Sequence, residues 1–278
     1  MTDLGRKPVA VVKVSGDAVI DRTELKGLVD NVKELIENDW DVVLLHGGRE
    51  QVSLAQGLLG RTPEFVGKRR VTHEPDLQAV KFAVVGEVNV DLVSALQGAG
   101  INAFGCHGAS GRMIEAKRRP PRVVDGQGSK AIDLGFVGDV TKINSKLIQN
   151  LLYSHVVPVI ATLGIGQRGE IYNINADTTV VEIARAIHAD LLLLTTSEGA
   201  IYRNSSDPST RIQEMTRRQF TNLIDTGIVA GDMVPRVEEA MELLDHTVEA
   251  IAVVSGKEPN SFINIADEKG RSGTRITG

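Results

Sequence analysis

Six short runs of the chain are apolar at almost every position, and patterns typical of amphipathic helices separate them. The runs occupy residues 9–14, 41–45, 101–104, 156–160, 191–194 and 250–254. A strand that is apolar throughout, rather than at alternate positions, is covered on both faces, as in a parallel sheet between helices. Helical periodicity is found in residues 24–38, 51–59, 76–97, 144–154, 177–187, 217–225 and 235–244. The alternation predicts βαβ crossovers and an α/β sandwich with a mainly parallel central sheet.

Glycine turns between further short apolar segments indicate additional hairpins. One turn is Arg168-Gly169 and another lies around Asp125-Gly126, and we expect both hairpins to add strands to the central sheet. The chain contains no internal repeat and no low-complexity linker. We therefore expect a single domain over residues 1–278 with a weak internal boundary near residue 165.

Charge and composition exclude several classes of function. The formal net charge is -5, so a general electrostatic attraction to nucleic acid or to an anionic membrane is not expected. No apolar stretch is long enough to span a bilayer, and the first residues lack the apolar core of a signal peptide. The single cysteine, Cys106, excludes an internal disulfide and is typical of a reducing compartment. We expect a cytoplasmic protein.

Several common catalytic motifs are absent from the sequence. The six histidines form no HxxxH or HExxH pair, so we expect no protein-bound transition metal. There is no Gly-x-Ser-x-Gly elbow and no Gly-x-x-x-x-Gly-Lys-[Ser/Thr] loop. Their absence argues against an α/β hydrolase and against a P-loop NTPase.

Two predicted strands end in glycine turns, and these turns are the first indication of chemistry. One strand carries Lys13 and turns at Gly16, and the other ends in His46-Gly47-Gly48. Backbone N–H groups at such turns, together with one cation, suit a phosphate. A lysine at the end of a buried strand needs an anion, because desolvating an unpaired ammonium is costly. That anion is either a bound phosphate or a structural carboxylate.

Two later segments carry polar residues that suit the same chemistry. Asn173 and Asn175 share one side of a short predicted strand. Asp177 follows at the start of a helix, where it is either part of a polar site or a helix cap. Arg236 lies in the first turn of a later helix, where a cation is unfavourable unless an anion is also present. It is therefore either beside a nucleotide phosphate or a solvated surface residue.

Basic clusters occur at Lys68-Arg69-Arg70 and at residues 117–122. A short charge run is usually a solvated face, and we expect that of each cluster as a whole. Single residues within the clusters, above all Arg70, are candidates for gripping a carboxylate with a two-bond guanidinium fork.

Taken in order, these segments resemble the amino acid kinase family, and within it the branch that phosphorylates N-acetyl-L-glutamate. The resemblance runs over nearly the whole chain. It rests on Lys13-x-x-Gly16, His46-Gly47-Gly48, Arg70-Val71-Thr72, residues 133–140, 173–177 and 231–237, and Gly273-Thr274.

The resemblance implies a three-layer αβα sandwich that forms an acyl phosphate. Residues 1–165 would bind the acyl amino acid and residues 166–278 would bind ATP, whose Mg2+ is carried by the nucleotide rather than by the protein. The implied catalytic residues are Lys13, Asp177 and Arg236. The implied substrate-binding residues are Gly47, Gly48, Arg70 and Asn173, and the implied phosphate- or nucleotide-binding residues are Lys13, Gly16, Gly48, Thr195 and Arg236. A carboxylate is already a nucleophile, so such a site needs cations and N–H groups rather than a general base.

Six positions depart from the family pattern. They are Ser15, Arg49, Lys68, Arg69, Thr196 and Arg236. Arg236 replaces the usual lysine and keeps its charge in a planar fork. Arg49 replaces the third glycine of His-Gly-Gly-Gly, and it would strain the turn if that position required a positive φ. Thr196 stands where relatives often carry an aspartate.

The sequence leaves three functions open. The first is phosphorylation of N-acetyl-L-glutamate, and the second is the same chemistry on an amino acid attached to an acidic carrier protein, which the basic clusters would suit. The third is a catalytically weak regulatory binding protein, marked by Arg49, Thr196 and Arg236. Since only twelve residues precede Lys13, we expect a homodimer rather than the hexameric ring of arginine-inhibited relatives.

Overall fold

The computed structural model describes residues 6–67, 69–123, 131–204, 206–229, 233–244, 248–268, 270 and 272–278. The strands are β1 (Val9–Val14), β2 (Asp41–His46), β3 (Phe65–Val66), β4 (Arg69–Arg70), β5 (Ala103–His107), β6 (Ile114–Arg118), β7 (Val137–Ile143), β8 (Val157–Ala161), β9 (Leu163–Ile165), β10 (Ile171–Ile174), β11 (Leu191–Thr195), β12 (Glu214–Thr216), β13 (Ala250–Val254) and β14 (Thr274–Thr277). The α-helices are α1 (Asp17–Ile20), α2 (Arg22–Glu37), α3 (Arg49–Leu58), α4 (Glu74–Val80), α5 (Asn89–Gly98), α6 (Ser145–Tyr153), α7 (Ala176–Ile187), α8 (Arg217–Asp225), α9 (Met233–Met241) and α10 (Ser261–Ala266). A π-helix (Lys81–Val88) joins α4 to α5, and short 3-10 turns occur at Ser110–Arg112 and Pro208–Thr210.

The central sheet has eight strands in the order β12-β14-β13-β11-β1-β2-β8-β5. Pairing is parallel from β13 through β5, whereas β14 runs antiparallel to β13. Each of the six contiguous parallel strands overlaps one of the six apolar runs of the sequence, so the predicted mainly parallel sheet is confirmed. β1 is buried at every position, which is why its residues do not alternate between apolar and polar.

Helices cover both faces of the central sheet. Successive side chains of β1 point to opposite faces: Val11 belongs to a core that includes Ile183 of α7, and Val12 to a second core that includes Leu28 of α2. The three-layer αβα sandwich is therefore confirmed, and each of the seven predicted helical segments forms a helix. In the described part of the chain, no helix has the length and apolarity that crossing a membrane requires.

Four further strands form a small closed sheet in the order β10-β7-β6-β9. The hairpin predicted at Arg168-Gly169 exists, since β9 and β10 pair antiparallel across it. The prediction that it extends the central sheet is wrong, because both strands belong to the closed sheet. Its walls approach closely at Gly164, where an added Cβ would lie 2.6 Å from the Ala116 Cβ. The turn predicted around residues 125–126 lies outside the described residues.

The helix predicted over residues 76–97 is longer and wider than expected. It runs without a break from α4 through the π-helix into α5. The π geometry replaces i→i−4 hydrogen bonds by i→i−5 bonds and broadens the helix, a feature that recurs at functional sites. It brings Val88 so close to the second glycine turn that a Cβ on Gly48 would lie 3.1 Å from the valine Cγ2.

Candidate active site

The two glycine turns lie side by side at the carboxyl ends of β1 and β2. The strands pair in parallel with Val14 opposite His46, and a Cβ built on Gly16 would lie 3.5 Å from the Gly48 Cα. The ends of the two strands therefore adjoin. Gly48 has φ 169°, which is extended backbone open to any residue, so its lack of a side chain serves space rather than conformation.

A cleft of about 780 Å³ opens at these strand ends. Ligand crevices of α/β sheets lie in this position, outside the carboxyl ends of the strands. Seven of the predicted site residues line the cleft, namely Lys13, Gly16, Gly47, Gly48, Arg70, Asn173 and Asp177. Segments separated by more than 160 positions in the sequence therefore meet in one place.

Lys13 and Asp177 form an ion pair inside the cleft. Lys13 is only 7% exposed, so its ammonium needs an anion, and the structural carboxylate considered above supplies it. Asp177 does not cap its helix. The cap of α7 is Asn175, whose Oδ1 accepts from the Thr178 N–H at 3.0 Å, and this leaves the Asp177 carboxylate to hold the lysine at the strand end.

His46 holds the second glycine turn, Gly47-Gly48, in place. Its ring is completely buried, with Nδ1 2.9 Å from the Gly47 carbonyl oxygen and Nε2 2.8 Å from Nδ2 of Asn89. Burial lowers the pKa of His46 to about 4, although the hydrogen bond to Gly47 acts in the opposite direction. The neutral ring therefore donates from Nδ1 and accepts at Nε2. The sequence analysis used His46 only as a turn marker and missed this role.

Gln51 is a second residue that the sequence analysis missed. It lies in the first turn of α3, is 3% exposed, and its Nε2 donates to the Gly16 carbonyl oxygen at 3.0 Å. The side chain thereby ties the turn after β1 to the helix after β2. A glutamine in the polar start of a helix gives no sequence signal for this contact.

Arg70 is buried where it lines the cleft, and it is held by neutral groups. Its Nη1 donates to Oε1 of Gln56, and its Nη2 donates to the Arg49 carbonyl oxygen and to Ser53 Oγ, both at 2.9 Å. Burial lowers the pKa of Arg70, and the nearby charge of Arg49 adds to this. In this structure the guanidinium fork predicted to grip a carboxylate is thus engaged with protein groups.

A buried acid beneath Arg70 organises these contacts. Asp76 accepts hydrogen bonds from Arg61 Nε at 2.6 Å and from Gln56 Nε2 at 2.7 Å. Burial alone would raise the pKa of Asp76, but the hydrogen bonds from Arg61, Gln56 and the His73 backbone outweigh it, and the pKa is lowered. Gln56 therefore has its amide oriented by Asp76, so that its oxygen faces Arg70. No pattern in the sequence indicates this network.

Asn173 on β10 lines the cleft, and its Nδ2 donates to Thr72 Oγ1 at 3.1 Å. Thr72 is completely buried, so the Arg70-Val71-Thr72 segment and the Asn173 segment are joined by a direct contact. This contact brings Arg70 and Asn173, two of the predicted substrate-binding residues, to the same part of the cleft.

Thr195 and Thr196 lie outside the main cleft. The Thr195 hydroxyl accepts from the Ser15 N–H at 2.9 Å and donates to the Lys13 carbonyl oxygen at 3.0 Å. Thr196 Oγ1 accepts from the Gly199 N–H at 3.0 Å. Both side chains hold backbone turns next to a small hollow of about 20 Å³ that Ser15 also lines.

The remaining departures from the family pattern fall in different places. Arg49 is the first residue of α3 and is not among the residues with positive φ, so the strain considered for this position does not arise. Arg69 lines the cleft, and burial lowers its pKa, as does the charge of Arg119. Arg236 is the fourth residue of α9, which begins two residues before the predicted start at Pro235. Its side chain, like Lys68 as a whole, lies outside the described part.

The second basic cluster, at residues 117–122, is largely paired within the protein. Arg118 forms an ion pair with Asp133 at 2.8 Å, and Arg119 forms one with Asp139. The side chain of Arg119 is only 11% exposed, so the expectation of a wholly solvated face is wrong for this residue.

Among the described residues, no group of three or more His, Cys, Asp and Glu side chains could hold a metal ion. The carboxylates that line the cleft are Glu50, Asp177 and Glu239. Burial raises the pKa of Glu239, with the charge of Asp177 acting in the same direction.

Comparison with known proteins places the chain in a family. The model of the amino acid kinase family matches residues 8–255. Acetylglutamate kinase of Anaeromyxobacter dehalogenans is 37% identical over 95% of this chain and 97% of its own length, and that of Methanocaldococcus jannaschii is 34% identical over 97% and 90%. Among solved structures, the fold is similar to N-acetylglutamate synthase from Neisseria gonorrhoeae, with a TM-score of 0.78 and 22% identity over 98% of this chain and 60% of that one. Carbamate kinase from Giardia lamblia bound to AMP-PNP has a TM-score of 0.69 and 16% identity over 98% of both chains. The chain belongs to the amino acid kinase family.

Proposed function

We propose that this protein transfers the γ-phosphoryl group of ATP to the γ-carboxylate of N-acetyl-L-glutamate, which yields an acyl phosphate and ADP. The observation that carries the proposal is the Lys13–Asp177 ion pair in a cleft that two adjoining glycine turns line. Relatives that match nearly the full chain are acetylglutamate kinases, which supports the choice of acceptor.

The reaction needs little covalent help from the protein. A γ-carboxylate oxygen attacks the γ-phosphorus of ATP, the bond from that phosphorus to the β,γ-bridging oxygen breaks, and ADP leaves with the electron pair. No proton is transferred, so catalysis consists of aligning two anions and neutralising their charge. Lys13 would meet the transferring group, the N–H groups of Gly16 and Gly48 would bind its oxygens, and Asp177 would hold the lysine in place.

The order of the strands supports a division of the cleft into two halves. β2, β8 and β5 lie on one side of β1, and β11 and β13 lie on the other. Residues 1–165 would form most of the acyl amino acid half, with Gly47 and Arg70 on the acceptor, and Asn173 of β10 would reach the acceptor from the second segment of the chain. Residues 166–278 would form the ATP half, with Thr195 and Arg236 on the nucleotide side, and Mg2+ would enter as part of MgATP.

Trapping the product tests the proposal directly. The protein is incubated with MgATP and hydroxylamine, which converts an acyl phosphate into a coloured hydroxamate, in the presence of N-acetylglutamate, N-acetylaspartate, N-succinylglutamate or carrier-linked glutamate. We expect the highest kcat/KM with N-acetylglutamate. Arg168→Gln is a control variant that should match the wild type, since the Arg168 side chain is 91% exposed and its ion pair with Glu170 lies outside the cleft. Absence of hydroxamate with every acceptor would refute the proposal.

The two alternatives predict other outcomes of the same assay. If the second alternative is correct, the protein will prefer a carrier-linked acceptor in this assay. Against it, the ion pairs of Arg118 and Arg119 leave the cluster at residues 117–122 with less positive charge for an acidic partner. A weak regulatory protein would gain a large rate from Arg236→Lys. We expect Arg236→Lys to lower the rate of phosphorylation instead, because the planar guanidinium fork of arginine and the point charge of a lysine ammonium are not interchangeable at a phosphate.

We also propose a cytoplasmic homodimer. β5 is the edge strand of the central sheet, and it carries Phe104 with 48% of its surface exposed, while Phe82 and Val90 on the preceding helical segment are 58% and 56% exposed. Unpaired edges and exposed apolar side chains are costly unless another chain covers them. Light scattering coupled to size exclusion should give twice the chain mass, and a hexamer or a monomer would contradict the proposal.

A further inference from the structure

Two arginine side chains meet at one aromatic ring on the acceptor side of the cleft. The guanidinium carbons of Arg49 and Arg70 lie 4.9 Å and 4.7 Å from the centroid of the Phe65 ring. All three residues line the cleft. Phe65 and Arg70 are opposite each other in the β3–β4 pair, and Arg49 reaches the same ring from the start of α3.

Neither guanidinium forms an ion pair with a carboxylate in the described part of the chain. The nearest acids act on Arg70 only at a distance: Asp76 is paired with Arg61, and Glu50 contributes a weaker attraction. Two like charges at one ring without a neutralising partner are unfavourable in a partly buried site. Arg49 is in addition a cation in the first turn of a helix, where an anion is favoured. A bound anion would offset all of these costs.

The hydrogen bonds of Arg70 determine what it can offer to such an anion. Both N–H groups of Nη2 are engaged, one with the Arg49 carbonyl oxygen and one with Ser53 Oγ. A two-bond grip on a carboxylate uses Nη2 together with either Nε or Nη1. Arg70 therefore has only separate single donors left, and the second oxygen of a carboxylate needs another cation.

We propose that Arg49 is that second cation: Arg49 and Arg70, spaced by the Phe65 ring, together bind the acceptor carboxylate that is not phosphorylated. This proposal rests on the proposed function, since it assigns the α-carboxylate of an N-acyl amino acid to the pair. It makes Arg49 a specificity-determining residue at a position where the family pattern has a glycine. The backbone accommodates the arginine because residue 49 is helical and has no positive φ.

The test compares two substrates and three variants. N-Acetylisoglutamine keeps the γ-carboxylate of N-acetylglutamate and replaces the α-carboxylate by a neutral amide. Arg49→Gln should raise KM for N-acetylglutamate about 10-fold and leave kcat within about twofold, since a hydrogen bond to a charged group is lost away from the reacting atoms. For the amide the same variant should change KM by less than about twofold. Arg49→Lys should recover part of the loss, and Arg168→Gln should match the wild type.

The results separate this inference from the proposed function. If the wild type phosphorylates N-acetylglutamate and Arg49→Gln leaves KM unchanged, or raises it equally for the acid and the amide, the role of Arg49 is refuted while the function stands. If the wild type prefers another acyl amino acid, the function is refuted, and the same comparison with that acid and its α-amide decides the role of Arg49. If nothing turns over, calorimetric binding of N-acetylglutamate decides it: tighter binding to the wild type than to Arg49→Gln supports the pair, and equal or absent binding refutes it.

Discussion

The buried ring of His46 should make the protein lose stability in mildly acidic solution. The ring is completely enclosed, and its Nε2 faces the side-chain N–H of Asn89 at 2.8 Å. Asn89 Nδ2 also donates to the Val159 carbonyl oxygen at 2.9 Å, so the amide is fixed as a donor. A proton on Nε2 would set two donors against each other in a site closed to solvent. The ring therefore stays neutral in the folded state.

The magnitude follows from the pKa values in the two states. Burial lowers the pKa of His46 from its ordinary value of 6.5 to about 4 in the folded protein. Between these values the unfolded chain binds a proton that the folded protein does not, so acidification favours unfolding. Each pH unit in this window costs about 1.4 kcal/mol, and the full window about 3 kcal/mol. The contribution of the neutral His46 ring to stability is fully present above about pH 6.5. It is lost as the pH falls towards about 4 and changes no further below that value.

Urea unfolding from pH 7.5 to 4 measures this effect when the wild type is compared with His46→Gln. The glutamine side chain can accept a hydrogen bond from Asn89 but does not titrate. Over this pH interval, the free energy of unfolding of the variant should therefore fall by about 3 kcal/mol less than that of the wild type. Burial also lowers the pKa of His107, and taking the difference between the two proteins removes that contribution. His188→Asn is a control, because His188 is exposed and asparagine tolerates its φ of 53°. If the difference in the free energy of unfolding between the wild type and His46→Gln is the same at every pH, the reasoning is refuted.

Further substitutions test the site and its support. Asp177→Asn should lower kcat about 100-fold or more in the hydroxamate assay without unfolding the protein, because the ammonium it holds would lose its position; a loss below tenfold would contradict this role. Gly48→Ala should lower kcat/KM about 10-fold, because its Cβ would lie 3.1 Å from Val88 Cγ2, and adding Val88→Ala should restore most of the activity. Gly108→Ala should reduce the free energy of unfolding by about 3 kcal/mol, because its Cβ would lie 1.8 Å from a backbone carbonyl oxygen. Gly98→Ala, with open space around it, should be neutral or stabilising by up to about 1 kcal/mol in the same urea titration.

The central sheet could be predicted because its signal is local. Each strand that is covered on both faces must be apolar along its whole length, and this is visible in a window of five or six residues. The hairpin at Arg168-Gly169 could also be predicted from its local sequence, but its place in the closed sheet could not. Sheet membership depends on close approaches such as that between Gly164 and Ala116, which join segments far apart in the sequence.

The site was predictable where one residue type has a special physical requirement. A lysine that ends a buried strand and glycines that follow strands are such cases, and Lys13, Gly16 and Gly48 do line one cleft. Gln51 and Gln56 were not predictable, because glutamine in an amphipathic helix is ordinary and only the folded structure shows which polar group it faces. Arg70 lies between these cases: its position was predicted, but its neutral partners were not.

The position of Lys13 explains why distant segments meet around it. β1 lies in the interior of the sheet between β2, which follows it directly in the chain, and β11, which comes some 180 residues later. The connections from β1 and β11 therefore leave the sheet in opposite directions, and a crevice opens where they diverge, at the carboxyl ends of the strands. Lys13 stands at that point, so the turn after β2 reaches it from one side and α7 with Asp177 from another. A strand at the sheet edge could offer a phosphate only one neighbouring turn, whereas this strand has a neighbour on each side, and under the proposed function its single lysine would join the acceptor half of the cleft to the nucleotide half.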